Sequence, residues 1–539
     1  NENLLTYSFS YLNKHNFDVM LGLSFQKDQS FSNKGTGKNG PNDKVHYVGT
    51  GWGGNYGLNN TNVSGEGDPF YESAFEYESS FSEERMNSYF GRLTYNFREK
   101  YMFEATVRRD GSSVFGEDVR WATFPAFAIG WVFSDEAFMQ PFYWLSFGKI
   151  RGSWGTSGQK FGQRYLAQGL FSASGMFLGN SGMAPDKNGG VINRRLSWEE
   201  TDQYDVGLDL SFLDYRLKMN IDYYYRYTTG HLSKWDLPGD VYYHTFQWQN
   251  AMAISNQGLE IELEADILRE TAVKFNFSRN WNRFEKSSDG YDYGSQVIGK
   301  PLNQILAYKT SGFYDSMDEV PFIYNAQGEK QPLWSGVNTH AVFFPGARRI
   351  EDLNGDGKIN ENDRYYAASP LPKGHGGFIN EIRWKNFDLN ILFNYSIGRH
   401  AVAVYDDFSL SPREESSPLF VALKDLNATW TGNGAKASYP KAQKYEYLYN
   451  QYVGIYDEDI ETVHFVRLKQ LTLGYNLGES ICKKVGLSGI RAFVTAENLF
   501  LLSNYSGIDP ELIDITSGTD NLRSYPLPRK FTIGLTVNF

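Results

Sequence analysis

The chain has 539 residues, a formal net charge of −11 and an aromatic share of 16%, with 53 Gly among its residues. The acidic balance argues against a nucleic-acid partner, which requires a basic stripe, and the lone Cys482 excludes an internal disulfide or a cysteine-cluster metal site. No run approaches the ~18–20 apolar residues of a membrane helix, which leaves a membrane barrel open because greasy and wet faces average out along each strand.

Strict two-residue alternation is the dominant pattern. It predicts about fifteen strands, near 3–12, 16–28, 86–98, 101–109, 120–133, 144–156, 201–213, 215–227, 255–267, 272–285, 375–384, 387–397, 462–477, 489–500 and 529–539. In the eighth, Leu217, Met219, Ile221 and Tyr223 alternate with Lys218, Asn220 and Asp222. In the ninth, Leu259, Ile261 and Leu263 alternate with Glu260, Glu262 and Glu264. In the last, Phe531, Ile533, Leu535, Val537 and Phe539 alternate with polar or glycine residues. Successive side chains of a strand point to opposite faces, so each segment has one greasy and one charged face.

Connection lengths alternate as well. Short turns are expected at Asn13 to His15, Arg98 to Lys100, Asp214, Leu268 to Thr271 and Lys385-Asn386, with 134–143 and 478–488 somewhat longer. On the other side lie 29–85, 110–119, 157–200, 228–254, 286–374, 398–461 and 501–528. Short turns at one end and long loops at the other are the outer-membrane pattern, with turns in the periplasm and loops outside. The fold class read from the sequence is therefore all-β, a transmembrane antiparallel β-barrel. The first and last strands both run toward the short-turn side, and an odd number of strands cannot close an antiparallel barrel. Further strands are thus expected upstream, and Asn1 is expected not to begin the gene product.

Several segments resemble the SusC/RagA family of TonB-dependent outer-membrane transporters of Bacteroidota. Arg108-Arg109-Asp110-Gly111-Ser112-Ser113-Val114-Phe115-Gly116, followed by Arg120-Trp121 and Phe124-Pro125-Ala126-Phe127, is similar to one family stretch. Leu196-Ser197-Trp198-Glu199-Glu200-Thr201 with Gly207-Leu208-Asp209 is similar to a second. Phe465 to Tyr475, Ala496 to Phe500, Asp509-Pro510-Glu511 and Tyr525 to Arg529 are similar to the late strands and their loop. The resemblance implies a barrel of about 22 strands, of which this chain (1–539) is the C-terminal portion, with the plug domain and first strands lying outside it. It also implies TonB-energised import of glycan or peptide fragments. The implied partners are a SusD-like surface lipoprotein lid, the TonB system acting through the plug, the remaining barrel and plug segment, and the bilayer with its lipopolysaccharide. The residues leave open a passive porin-like channel, an outer-membrane scaffold, or a soluble carbohydrate-binding protein or hydrolase.

One motif suggests a metal. Asp352, Asn354, Asp356, Lys358 (through its carbonyl) and Asp363 follow Ca²⁺-loop spacing, with Gly357 at the sixth position. Asp at the twelfth position replaces the usual bidentate Glu. A structural Ca²⁺ is expected there, against the alternative of a turn that binds nothing. Enzyme readings find little support: Ser157-Gly158-Gln159-Lys160 matches S-x-x-K, but so does Ser480 to Lys483, and such a motif without its structural context is weak. Glu260, Glu262 and Glu264 suit a polar lumen wall better than a glycosidase pair. Trp235, Tyr242, Trp248 and Trp334 in the long loops suit stacking on a solute, and they suit loop packing equally well. Loop 157–200 is a candidate contact for the lid.

Overall fold

The structure, a computed structural model, describes residues 1–37, 75–169, 171–177, 180–185, 189–238, 244–268, 270–287, 289–292, 296–324, 327–332, 343–357, 359–403, 430–432, 437, 455–484, 486–520 and 525–539. Fifteen strands form one continuous antiparallel wall in chain order. They are β1 (Glu2–Tyr11), β2 (His15–Gly37), β3 (Phe75–Phe97), β4 (Tyr101–Ser112), β5 (Trp121–Val132), β6 (Leu145–Gln159), β7 (Glu199–Phe212), β8 (Leu217–Asp236), β9 (Phe246–Leu268), β10 (Thr271–Lys286), β11 (Gly374–Trp384), β12 (Phe387–Ala403), β13 (Ile460–Asn476), β14 (Gly489–Ser503) and β15 (Lys530–Asn538). Each pairs with its sequence neighbours, the meander that alternating turns and loops enforce. A sixteenth strand, Thr519–Asp520, adds to β12 in parallel. Among the described residues no helix is long and apolar enough to cross a membrane, which says nothing of spanning by strands.

The cross-strand register keeps the two faces separate around the wall. Leu208, Ile221, Ile261 and Phe277 are successive partners on β7 to β10, while Asp222 faces Glu260 on the opposite side. Leu473 lies between Leu389 and Val494, and Val494 pairs with Ile533. This apolar face is open: Ile129 is 63% exposed and Ile533 83%. Apolar area on this scale is stable only against hydrocarbon.

The wall strands agree in number with the sequence reading but not in length. The strand near 16–28 extends to Gly37, the strand near 86–98 begins at Phe75, and those near 215–227 and 255–267 reach Asp236 and back to Phe246. Strands of 23 residues run to ~75 Å, against an apolar band of ~25 Å. Beyond the band both faces are wet, so the alternation that marked the strands fades, as in Gln29-Ser30-Phe31-Ser32-Asn33-Lys34. The turn expected at Asp214 alone spans 213–216, closed by Arg216 N–H to the Leu213 carbonyl. Two short turns place two consecutive non-glycine residues at positive φ, Leu12/Asn13 and Arg98/Glu99, and a third places three, Leu213, Asp214 and Tyr215. That geometry matches the twist of a tight hairpin but strains side-chain-bearing residues.

Bulges re-aim side chains above the band. The register of β13 shifts between Leu468 and Gln470, so odd-numbered residues that face outward at Leu471 and Leu473 turn inward at Arg467, Phe465 and Val463. A second shift, between Thr228 and His231 on β8, contains Gly230 at φ +69°.

Candidate functional site

The inward face carries a lattice of opposite charges. Arg151 on β6 lies 3.2 Å from Asp209 and 2.6 Å from Asp222. Lys218 faces Glu264 at 3.6 Å, Lys274 faces Glu381 at 3.5 Å, and Arg491 meets Asp388 at 2.5 Å. Each such half-wet pair contributes ~0–1 kcal/mol, so the lattice neutralises and orders the wall more than it stabilises it. Glu262 accepts the Asn220 amide at 3.4 Å. Near the short-turn end the inner wall has a depression of about 440 Å³, floored by Ala128 and Gly130 and edged by Asn96, Glu104, Lys149 and Arg151.

At the loop end, compact cores fix the mouth, three of them built around buried aromatic or ionic groups. In the first, Phe115, fully buried, packs on Trp198 at 4.5 Å between ring centroids, and Phe124 meets the same indole edge-on at 5.6 Å. The Trp198 indole N–H donates to the Arg120 carbonyl at 3.1 Å. Gly116 passes so close to Arg194 that an added Cβ would lie 1.6 Å from its carbonyl oxygen. Two sequence stretches about eighty residues apart are thus one packed unit.

The second core is a strap, residues 504–520, laid back onto the inward face of β12 and β13. Arg467 reaches Asp509 at 2.5 Å and Glu511 at 2.7 Å; the Arg467 and Asp509 side chains are each only 4% exposed. Arg399 donates to the carbonyls of Pro510 (3.2 Å) and Ile513 (2.5 Å). Tyr505 and Ile513 pack on Ala401 and Val463. Burial, with the Asp520 carboxylate beside it, pushes the Tyr505 hydroxyl well above the ordinary phenol range.

The third core lies in the long loop between β10 and β11, where Tyr308, Tyr314, Ile350 and Ile359 pack with Tyr456. Burial raises the Tyr314 hydroxyl to about 12. The buried Arg348 bonds Glu458 and, at 3.1 Å, Asp459. Burial pushes the Glu458 carboxyl up, with Arg348 opposing that shift.

The proposed Ca²⁺ loop borders this core. Asp352 accepts the amides of Gly355 (2.7 Å) and Gly357 (2.8 Å), and Asn354 accepts that of Asp356 (3.0 Å). Asp363, fully buried, accepts the amides of Leu353 (3.0 Å) and Asn360 (2.8 Å), while the Asn360 side chain accepts the Asn362 amide at 2.9 Å. Lys358 lies outside the described residues. Among them, no group of three or more His, Cys, Asp or Glu is drawn together as a ready-made metal cluster.

Of the aromatic residues named from sequence, Tyr242 and Trp334 lie outside the described residues. Trp235 pairs with Gln247 and Lys234 with Trp248, so Trp235 and Trp248 occupy opposite faces of the β8–β9 ribbon and are not brought together. Trp248 packs against the cluster of Leu166, Ala167 and Leu196, and the Lys234 ammonium lies 5.3 Å from its ring centre. Loop 157–200 is tied to β3: Arg164 bonds Glu84 at 3.2 Å and Lys160 pairs with the same carboxylate. Sequence reasoning missed Arg467 and Arg399, since only the bulge and the folded strap reveal which way they point.

Comparison with known proteins agrees with this geometry. Residues 1–368 match the family model described as TonB dependent receptor-like, beta-barrel. The chain belongs to that family. Its members are outer-membrane receptors and transporters, not enzymes. The chain is 29% identical over 572 aligned residues to TonB-dependent receptor P3 of Formosa agariphila, covering all of this chain and 52% of that protein. It is 27% identical over 470 residues to TonB-dependent receptor SusC of Bacteroides thetaiotaomicron, covering 84% of this chain and 43% of SusC. The chain thus spans about half the length of the curated relatives it matches. A solved structure of the RagAB peptide importer in its open-open state superposes with a TM-score of 0.78 at 22% identity, over all of this chain and 54% of that one; the RagAB peptide transporter superposes at 0.76. These superpositions establish the fold, an antiparallel barrel wall, and the family match places it in the outer membrane as a transmembrane barrel.

Proposed function

We propose that this chain is the greater part of the barrel wall of a SusC-type importer. The importer takes up glycan or peptide fragments across the outer membrane with energy from the TonB system. The observation that carries this reading is the pairing of a lipid-facing wall with a mouth whose loops are locked by their own cores. A passive porin has less need of so rigid a rim, whereas a lid-capped importer needs a fixed surface for the lid to close on. In this reading a SusD-like lipoprotein covers the mouth, and the plug and first strands belong to the same receptor outside residues 1–539.

The test is affinity purification of the full-length receptor from its own outer membrane in detergent, with mass spectrometry of the intact complex. A co-purifying surface lipoprotein, together with loss of growth on either glycan or peptide when the receptor gene is deleted, supports the reading. A receptor without such a partner, whose deletion changes passive permeability alone, overturns it.

We also propose that Asp352, Asn354, Asp356, the Lys358 carbonyl and Asp363 hold a structural Ca²⁺. Supporting this are the turns closed by Asp352 and Asn354, and the anchoring of the loop by buried Ile359 and Asp363. Calorimetric titration of the chelator-treated receptor with Ca²⁺ should give binding that Asp352→Asn with Asp356→Asn abolishes; equal heats in both proteins would dismiss it.

A further inference from the structure

The outward face in the spanning region is almost free of charge. On β4 it reads Tyr101, Phe103, Ala105, Val107, then Arg109; on β10 it reads Thr271, Val273, Phe275, Phe277, then Arg279. Both arginines stand eight residues above the start of their strands at the short-turn end. With ~3.3 Å per residue and a tilt of ~40°, that is ~20 Å, at the outer border of the apolar band.

Each arginine is exposed and stands beside an outward tryptophan: the Arg109 guanidinium is 5.7 Å from the Trp121 ring centre, and that of Arg279 is 5.1 Å from Trp281. Trp121 also stacks with Tyr89 at 5.8 Å. Its indole lies across Gly111, where an added Cβ would meet the ring at 2.6 Å. The glycine following Asp110 therefore makes room for the Trp121–Arg109 pair.

Neither arginine has a carboxylate partner among the described residues. The outward cations farther up the β2–β3 ribbon behave differently, since Lys27 and Arg85 both pair with Glu83, at 3.2 and 2.8 Å. A guanidinium without a counter-ion at the edge of hydrocarbon is costly unless an anion reaches it. Its planar fork fits the oxygens of a phosphate, and a flanking indole sits favourably at headgroup depth.

We propose that Arg109 with Trp121, and Arg279 with Trp281, are two seats for the phosphate groups of outer-leaflet lipid A. The inference rests on the outer-membrane orientation argued above and adds the lipid chemistry to it. The two seats anchor the barrel at a fixed depth and order lipid around it.

The full-length receptor in phosphatidylcholine nanodiscs, with phosphorylated or with dephosphorylated lipid A, provides the test, read by thermal unfolding. Phosphorylated lipid A is expected to raise the Tm of the wild type by several degrees. Dephosphorylated lipid A and free inorganic phosphate are expected to leave it unchanged. The double variant Arg109→Gln/Arg279→Gln should lose most of that rise, and Arg109→Lys/Arg279→Lys should keep part of it. An equal rise in the wild type and the double glutamine variant overturns the proposal, as does a rise produced by free phosphate. A cysteine placed at Val107 separates the two levels of failure. Protection of this thiol from a water-soluble maleimide leaves the orientation intact even if the lipid shift is missing. Its rapid labelling overturns orientation and lipid seats together.

Discussion

The wall and the mouth of this barrel are built by opposite means. In the wall each strand states its own two faces: Leu217 to Tyr223 alternates regardless of what lies elsewhere in the chain, and register then aligns Ile221 with Leu208 and Ile261. In the mouth the segments are held by one another. Phe115 and Phe124 come from one stretch and Trp198 from another about eighty residues on, and Asp509 is ordered by Arg467, more than forty residues away. Away from glycines that lie under a ring, such as Gly22 beneath Phe90, the wall is expected to tolerate change as long as polarity is kept. The mouth depends on particular partners in buried positions, where an unpaired group has no solvent to fall back on.

The largest effect should come from breaking the strap. Arg467→Met leaves Asp509 buried without its partner and is expected to cost ~3–5 kcal/mol, read by urea unfolding of the full-length receptor in micelles. Replacing both, as Arg467→Met/Asp509→Leu, should recover a large share of that loss. Next comes a pair of adjacent wall positions: Leu93→Arg, outward, should destabilise by ~2–4 kcal/mol, while Thr94→Arg, inward beside Glu104, should be close to neutral. Equal effects at 93 and 94 would erase the distinction between faces.

A smaller gain is expected at a short turn. Changing Arg98-Glu99, both near φ +57°, to Asn-Gly should stabilise by ~1 kcal/mol, since those residues adopt that conformation with less strain. The smallest effect concerns His231, which lies beyond the apolar band and bonds Glu199 at 2.8 Å. That carboxylate holds the imidazole above its ordinary value. The pair's contribution is therefore complete below pH ~6.5 and is lost as pH rises through the elevated folded value. The pair is part-exposed, so the effect stays below ~1 kcal/mol; Glu199→Gln should flatten this segment of the stability profile.

Legibility followed the same division. Alternation is local, so the wall strands could be placed and ordered from residues alone, down to Phe531–Phe539. The upper halves of β2, β3, β8 and β9 were missed because strands wet on both faces carry no period-two signal. The family-like stretches around Asp110, Trp198 and Asp509 stood out in sequence, yet their role as packed clamps depends on contacts that no local pattern encodes. A bulge that adds one residue at Lys469 reverses the direction of Arg467, and alternation read through it would place that side chain on the wrong face. Of the aromatic residues, Trp235 and Trp248 are near neighbours in the ribbon, but pairing register sets them on opposite faces.

The most direct test of the central claim is a nitroxide scan of β8 from Leu217 to Tyr225 in the full-length receptor reconstituted in lipid, comparing collision with oxygen and with a water-soluble nickel chelate. The account predicts a two-residue period in antiphase: oxygen high at Leu217, Met219, Ile221, Tyr223 and Tyr225, and nickel high at Lys218, Asn220, Asp222 and Tyr224. Uniform nickel access along the segment, or a period other than two, would contradict a wall with one face in lipid and the other in the lumen.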